Sequence, residues 1–349
     1  MMSVSRALLF CLAVTLNASA QTTLPDEKLH ALIVQGIDLT WKQYYSQADS
    51  IFGEVISLFP NHPAGYAYRA GVMQTIAVDH ELSVDQVRLD SLLVLAKEKS
   101  KLLIDAGGAD AKWGYFYLAT AEGCDSYSRV YRGDWMGGAL RGVAAFSAFK
   151  DAISQDSGLV DAYAGIGGFY YWRSRKTEHF NWLPFVGDDR PKALPMLMKT
   201  AEHGVYNRFT ALSMLVAISS DAGEYDKAIA FAREGLRTYP SNQVFLWGLT
   251  TALEKKGDVR GAVDAFEVLL KSLQDEHGAN AYNELVCHLN LGRLRLSIGD
   301  TAAAKSELGK VESRHAVDFP AHLRERVEKK LDQAKELLQK MGAVAAGAN

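Results

Sequence analysis

The chain has 349 residues, 48% of them hydrophobic and 23% charged, with a formal net charge of −3. This is an ordinary water-soluble balance, and it gives no whole-chain field that would draw nucleic acid or anionic lipid. The length suits about two compact domains or one elongated repeat array.

Residues 1–20 have the form of an export signal. Arg6 supplies a positive start, residues 7–16 form an apolar run too short to span a bilayer, and Ala18, Ser19 and Ala20 place small residues at the cleavage position. Cleavage is expected after Ala20. Phe10 stands before Cys11, where a lipoprotein site needs a small residue, so a soluble periplasmic or secreted product is expected. No later apolar stretch is long enough to be an integral membrane segment. Residues 21–28 read as a linker. Cys124 and Cys287 are distant and form no CxxC pattern, so free thiols are expected rather than a disulfide framework.

From here small and large residues recur at fixed offsets. Gly36, Ala48, Phe52, Val55 and Pro60 form a first set. Two long helical patterns follow, 84–105 with Leu89, Leu92, Leu93, Ala96 and Leu103, then 109–131, broken apart by Gly107 and Gly108. Ala145, Phe149 and Ala152 lead into Tyr163, Ile166, Gly167 and Tyr170. Gly223, Glu224, Ala228, Ala232, Gly235 and Pro240 are matched by Gly257, Asp258, Ala262, Phe266 and Leu269, and Ala228 to Ala262 is 34 residues. Leu291, Gly292, Gly299, Asp300, Ala304, Leu308 and Val311 give a last copy, which departs from the pattern at Arg295.

From about residue 29 to 315 this pattern resembles the tetratricopeptide repeat family. The resemblance implies an all-α fold, an α-α superhelix of antiparallel helix pairs. Small residues let two helices approach, and large ones fill the gap to the next pair. Pro60 and Pro240 stop second helices. It also implies a groove lined by first helices, here Asp161, Ala164, Gly168, Tyr171 and Trp172, then Thr210, Ser213, Trp247, Thr251, Glu254 and Lys255. Residues 316–341, opened by Pro320, read as a charged capping helix, and 342–349 as a disordered tail.

Two segments depart from the repeat. After Tyr170, residues 171–191 read as an inserted loop, with the second helix resuming near Lys192. Its aromatic content argues against disorder. Tyr171, Trp172, Trp182 and Phe185 are expected to line a pocket, with Arg173, Arg175, Asp188 and Arg190 as polar anchors, or else to plug the superhelix. The second segment, 132–142, holds Arg132, Asp134, Trp135, Gly138, Arg141 and Gly142. Asp134 suits a helix N-cap. Gly138 and Gly142 point to tight helix packing; the alternative is that the backbone near Gly137 and Gly138, together with Arg132 or Arg141, meets an anionic ligand at the helix start. The two segments sit in neighbouring units and are expected to face one another.

No catalytic signature stands out. The nine histidines have no metal-ligand spacing, and residues 165–168 form neither a dinucleotide nor a phosphate loop. The expectation is a non-catalytic exported scaffold that needs no cofactor or metal. It would bind a peptide, a partner protein or a small molecule in its concave groove and under the 171–191 loop, with no nucleic acid. An accessory subunit or enzyme with a site between the two segments, or a solute-binding accessory of an envelope transporter, is the alternative.

Overall fold

The computed structural model describes residues 21–178, 187–275 and 280–347. The expected export signal lies outside them. The described residues form helices and no strand. They pair as hairpins: α1 (Glu27–Trp41) with α2 (Tyr45–Leu58), α3 (Ala64–Asp79) with α4 (Gln86–Ala106), and α5 (Ala111–Tyr131) with α6 (Trp135–Gln155). Next come α7 (Ala162–Thr177) with α8 (Arg190–His203), α9 (Arg208–Asp221) with α10 (Tyr225–Thr238), α11 (Gln243–Lys256) with α12 (Val259–Asp275), and α13 (Ala281–Ser297) with α14 (Thr301–Glu312). A last helix, α15 (Arg324–Gly347), packs on α14 and α13. This is the helical superhelix the repeat implies.

The repeated small and large residues do the packing expected of them. A Cβ added to Gly36 would lie 2.5 Å from the Phe52 ring, and one added to Gly235 would lie 2.5 Å from Phe245. Only glycine lets these rings seat against a helix backbone. The middle of the array is stretched. Helices α4, α5 and α6 have 21 residues each, whereas α9, α10 and α11 have 14. Cys124 and Cys287 are free thiols, and burial pushes the Cys124 thiol up to about 11.

Residues 21–28 are not a linker. Gln21 donates from Nε2 to Asp161 Oδ2 at 2.7 Å, and its Oε1 accepts from Val160 N at 3.1 Å. Thr22 donates to Asp156 Oδ2 at 2.9 Å, and the Leu24 amide donates to the Tyr206 hydroxyl at 2.9 Å. Leu24 is buried in the first core cluster, and Asp26 caps α1 by accepting from Leu29 N at 2.8 Å. An extended segment with this many partners is part of the fold. At the other end α15 begins at Arg324, after two short 3-10 turns, rather than at Pro320. It buries Val327, Leu331 and Ala334 against Leu289, Leu308 and Val311. The helix continues past Gly342, where a structureless tail is expected from the sequence, as far as Gly347.

The array also folds back on itself. Trp41, at the end of α1, stacks on Phe245 with ring centroids 5.5 Å apart and lies beside Phe209 and Tyr239. Asn242 donates to the Trp41 carbonyl at 2.8 Å. Asn283, on α13, donates to the Asp79 carbonyl at 2.9 Å, and Arg326, on α15, makes a two-pronged ion pair with Glu81 at 2.7 and 2.9 Å. The first two hairpins are therefore joined to the last ones by contacts about 200 residues apart in sequence. Hydrogen bonding of this kind is specific to one curvature, because a change in pitch would break the pairs together.

Candidate ligand-binding cleft

Tyr171, Trp172, Arg173 and Arg175 belong to helix α7, which runs on to Thr177, and so lie outside any loop. The reason is visible in the buried positions: Gly167, Tyr171 and Ser174 recur three or four apart, so the amphipathic pattern continues through the expected break. The connection to α8 is residues 178–189, against 222–224 between α9 and α10. Its two ends are fastened together. The Asp189 amide donates to the buried Ser174 hydroxyl at 2.9 Å, Arg173 pairs with Asp189, and Arg190 reaches Glu178 at 3.3 Å. The segment between these ties includes Trp182 and Phe185, which lie outside the described residues.

Beside these ties is a cleft of about 570 Å³. Tyr171, Arg175 and Glu178 line it from the α7 side, Asp188, Arg190, Pro191 and Leu194 from the start of α8, and Ile218, Asp221, Ala222 and Glu224 from the next hairpin. Four of the sequence-derived site residues, Tyr171, Arg175, Asp188 and Arg190, are thus brought together. Trp172 stands edge-on to Tyr171 at 5.2 Å but is not in the lining, and Arg173 lies near the Phe169 and Tyr170 rings.

The arginines are not free anchors for an anion. Arg175 donates from Nε to Asp221 Oδ2 at 2.8 Å and also pairs with Glu178. Arg190 donates to Asp188 at 2.7 Å. The Tyr171 hydroxyl donates to Asp221 Oδ2 at 2.8 Å. Burial tends to raise the Asp221 carboxyl, but the bonds from Tyr171 and Arg175 outweigh it and hold the group below the usual carboxylate range. Asp188 is held low by the Arg190 hydrogen bond. The lining therefore carries four carboxylates (Glu178, Asp188, Asp221 and Glu224) against two guanidiniums (Arg175 and Arg190), a net of minus two over an apolar floor of Pro191, Leu194, Ile218 and Ala222. Lys227 reaches Glu224 from outside the lining at 2.9 Å. Sequence reasoning takes Glu178, beside His179, for a solvated loop residue, and it missed Asp221 and Glu224, because nothing in a repeat pattern says which turn faces an insertion about 40 residues earlier.

The second segment stays apart from the first. Asp134 caps α6 by accepting from Gly137 N at 2.9 Å, so the chain's own carboxylate fills the helix start where an anion was considered. Arg141 lies 3.4 Å from Glu122, and Arg129 lies 2.8 Å from Asp125. A Cβ on Gly138 would come 2.5 Å from Val130, so this glycine allows the close packing of α5 on α6. Arg132 lines a separate cleft with Lys97, Asp125, Arg129 and Asp134, which shares no lining residue with the first. The expectation that the two segments face one another is corrected for the described residues: the ends of the insertion, Glu178 and Asp188 to Pro191, line a cleft with the end of α9 and the turn before α10, whereas the 132–142 segment packs on α5.

The expected groove is also partly closed. Asp161, Ala164 and Gly168 are buried, and Tyr171 is buried but for the small part that lines the cleft. Asp161 is used internally, its carboxylate accepting from the amides of Val205, Tyr206 and Asn207 at 3.2, 2.9 and 2.6 Å. Thr210, Ser213, Trp247 and Glu254 are half-buried, with Glu254 paired to Arg293 at 2.7 Å, and Thr251 and Lys255 are exposed.

No family model matches the chain, and no curated protein does either. Among solved structures it is similar to the C-terminal part of a TPR repeat-containing protein from Cytophaga hutchinsonii, with 16% identity over 79% of this chain and 93% of that one and a TM-score of 0.42. It is also similar to yeast Tom70 (14% identity, 91% of this chain and 66% of that one, TM-score 0.42). IFIT1 with Gppp-AAAA is a third, with 11% identity over 91% and 83% and a TM-score of 0.37. At these scores the likenesses name no ligand or partner for this chain. The tetratricopeptide-type reading rests on its own 34-residue spacing and stacked hairpins. Among the described residues no group of three or more His, Cys, Asp or Glu side chains is placed to hold a metal ion, and no helix is long and apolar enough to cross a membrane.

Proposed function

We propose that this protein is an exported, non-catalytic helical-repeat scaffold that holds a cationic, partly apolar segment of a partner protein or peptide in the cleft between α7, α8 and the α9–α10 turn. The carboxylate excess over an apolar floor carries this reading. A lysine or arginine entering there would share Asp188 with Arg190 and Asp221 with Arg175 and compete with Lys227 for Glu224, while its aliphatic stem lay on Leu194 and Ile218. The same excess disfavours a nucleic acid or another polyanion. The arginines serve to orient the carboxylates, and the fastened insertion fixes the cleft's rim before a partner arrives, which lowers the ordering cost of binding. Export is supported by the Arg6, 7–16 and Ala18-Ser19-Ala20 pattern.

The test is capture from an envelope extract by the immobilised protein and by a variant with Asp188→Lys and Glu224→Lys. These two side chains lie outside the buried core, 37% and 43% exposed, and the melting temperature of the variant checks that it is folded. The reading expects a partner captured through a Lys/Arg-rich segment by the wild type and lost from the variant. Equal capture by both would contradict it.

A further inference from the structure

Helix α6 has a second apolar face that the fold does not use. Gly138, Ala145, Phe149 and Ala152 face the core. At 3.6 residues per turn, Met136, Ala139, Leu140 and Val143 lie on the opposite side, with Trp135 at its edge. Trp135 is 66% exposed, Met136 78%, Leu140 67% and Val143 54%. A solvated second helix normally carries charges there. Instead, the chain has no carboxylate between Asp134 and Asp151; Arg141 in that stretch turns to Glu122 of α5, and Lys150 is exposed. Arg132, at the tip of the hairpin, is exposed and donates only to the Ser128 carbonyl among the described residues. Tyr127 and Tyr131, on the adjoining end of α5, are also exposed and stack at 6.4 Å.

We propose that this face rests on an anionic lipid surface. The composition is that of an interfacial helix: tryptophan and tyrosine at one end, Met, Leu and Val along the stripe, and cations flanking it. Charge decides between occupants. A second copy would bring the exposed Arg132 and Lys150 against like charge, whereas phosphate head groups complement them. Lysine and arginine stems also let the charge reach the head groups while the stripe enters the acyl boundary. The chain would then be held peripherally by its α5–α6 tip, through a surface separate from the acidic cleft.

Every contact described here involves residues from Gln21 onward, so the chain starting at Gln21 is used, free of the apolar 7–16 run. It is sedimented with vesicles of phosphatidylcholine alone and with vesicles containing phosphatidylglycerol. The wild type should partition onto the anionic vesicles and much less onto the neutral ones. A variant with Trp135→Ser and Leu140→Ser should lose roughly tenfold or more in partitioning while keeping the wild-type melting temperature. Arg132→Glu should weaken binding to the anionic vesicles only. The proposal is overturned if the wild type stays in solution with both vesicle types, or if the double variant binds as well as the wild type. It is equally overturned if the wild type is a dimer that this variant turns into a monomer, since the face would then belong to a second copy.

Discussion

Tyr171 and Asp221 meet across the boundary between two hairpins, the phenol donating to the carboxylate at 2.8 Å, and Arg175 joins the same oxygen. The pair fixes the negative wall of the cleft to the buried face of α7. Asp221→Ala should therefore abolish binding of a cationic partner while the chain stays folded. One charge-assisted hydrogen bond and a partly exposed ion pair are together worth about 2 kcal/mol, and the phenol keeps the Ile218 carbonyl at 3.3 Å as a second acceptor. Calorimetric binding and thermal melting of the same sample separate the two effects. A variant that unfolds well below the wild type while still binding would contradict the role given to Asp221.

Asp161 is fully buried and has no cationic partner among the described residues. Burial pushes its carboxyl up to about 6, although the amides of Asn207, Val205 and Tyr206 pull it down. The ordinary value is 3.8. Below that value both folded and unfolded chains hold the proton, and the group has no effect on stability. Between pH 4 and 6 only the folded chain keeps it, so stability falls as pH rises, by up to roughly 3 kcal/mol in all, and then levels off. Carboxylates held low, such as Asp49 and Asp156, act in the opposite sense and at lower pH. Denaturant melts of the wild type and of Asp161→Asn across this range should give a difference that changes between pH 4 and 6. A flat difference would remove the argument.

The Gln21–Leu24 segment is a structural strap. Leu24→Ala should cost about 2 kcal/mol, at the low end for a buried leucine because an end segment can shift to fill the gap. A change in the denaturant midpoint checks this, and an unaltered midpoint would return the segment to the status of a linker.

Two glycines in neighbouring helices should respond in opposite directions. Gly36→Ala forces a methyl group against the Phe52 ring and should cost about 1–3 kcal/mol. Gly71, inside α3, has nothing within 4 Å of an added Cβ, so Gly71→Ala should stabilise by about 0.5–1 kcal/mol. Melting temperatures of the two variants compare them directly.

The hairpins were legible because packing inside a unit leaves a periodic trace: Gly36 and Phe52, Ala228 and Ala262, Pro60 and Pro240 each follow from local helix contact. Contacts across the array leave none. The meeting of Trp41 with Phe245 and of Glu81 with Arg326 depends on superhelical pitch, which no single repeat encodes. The same holds for Asp161, which looks like a groove residue until the 205–207 turn is seen to bind it. At the candidate cleft, Tyr171, Arg175, Asp188 and Arg190 stood out as departures from the repeat. Their carboxylate partners come partly from the following unit and reversed the expected charge of the site.

The most direct test is a methyl NMR titration that follows Leu194 and Ile218 while two peptides of equal apolar content are added, one bearing lysines and arginines, the other glutamates. The account predicts that the cationic peptide shifts both resonances in a saturable way and that Glu224→Lys suppresses the effect, while the acidic peptide leaves them in place. Shifts from the acidic peptide alone, or from both peptides equally, would contradict it.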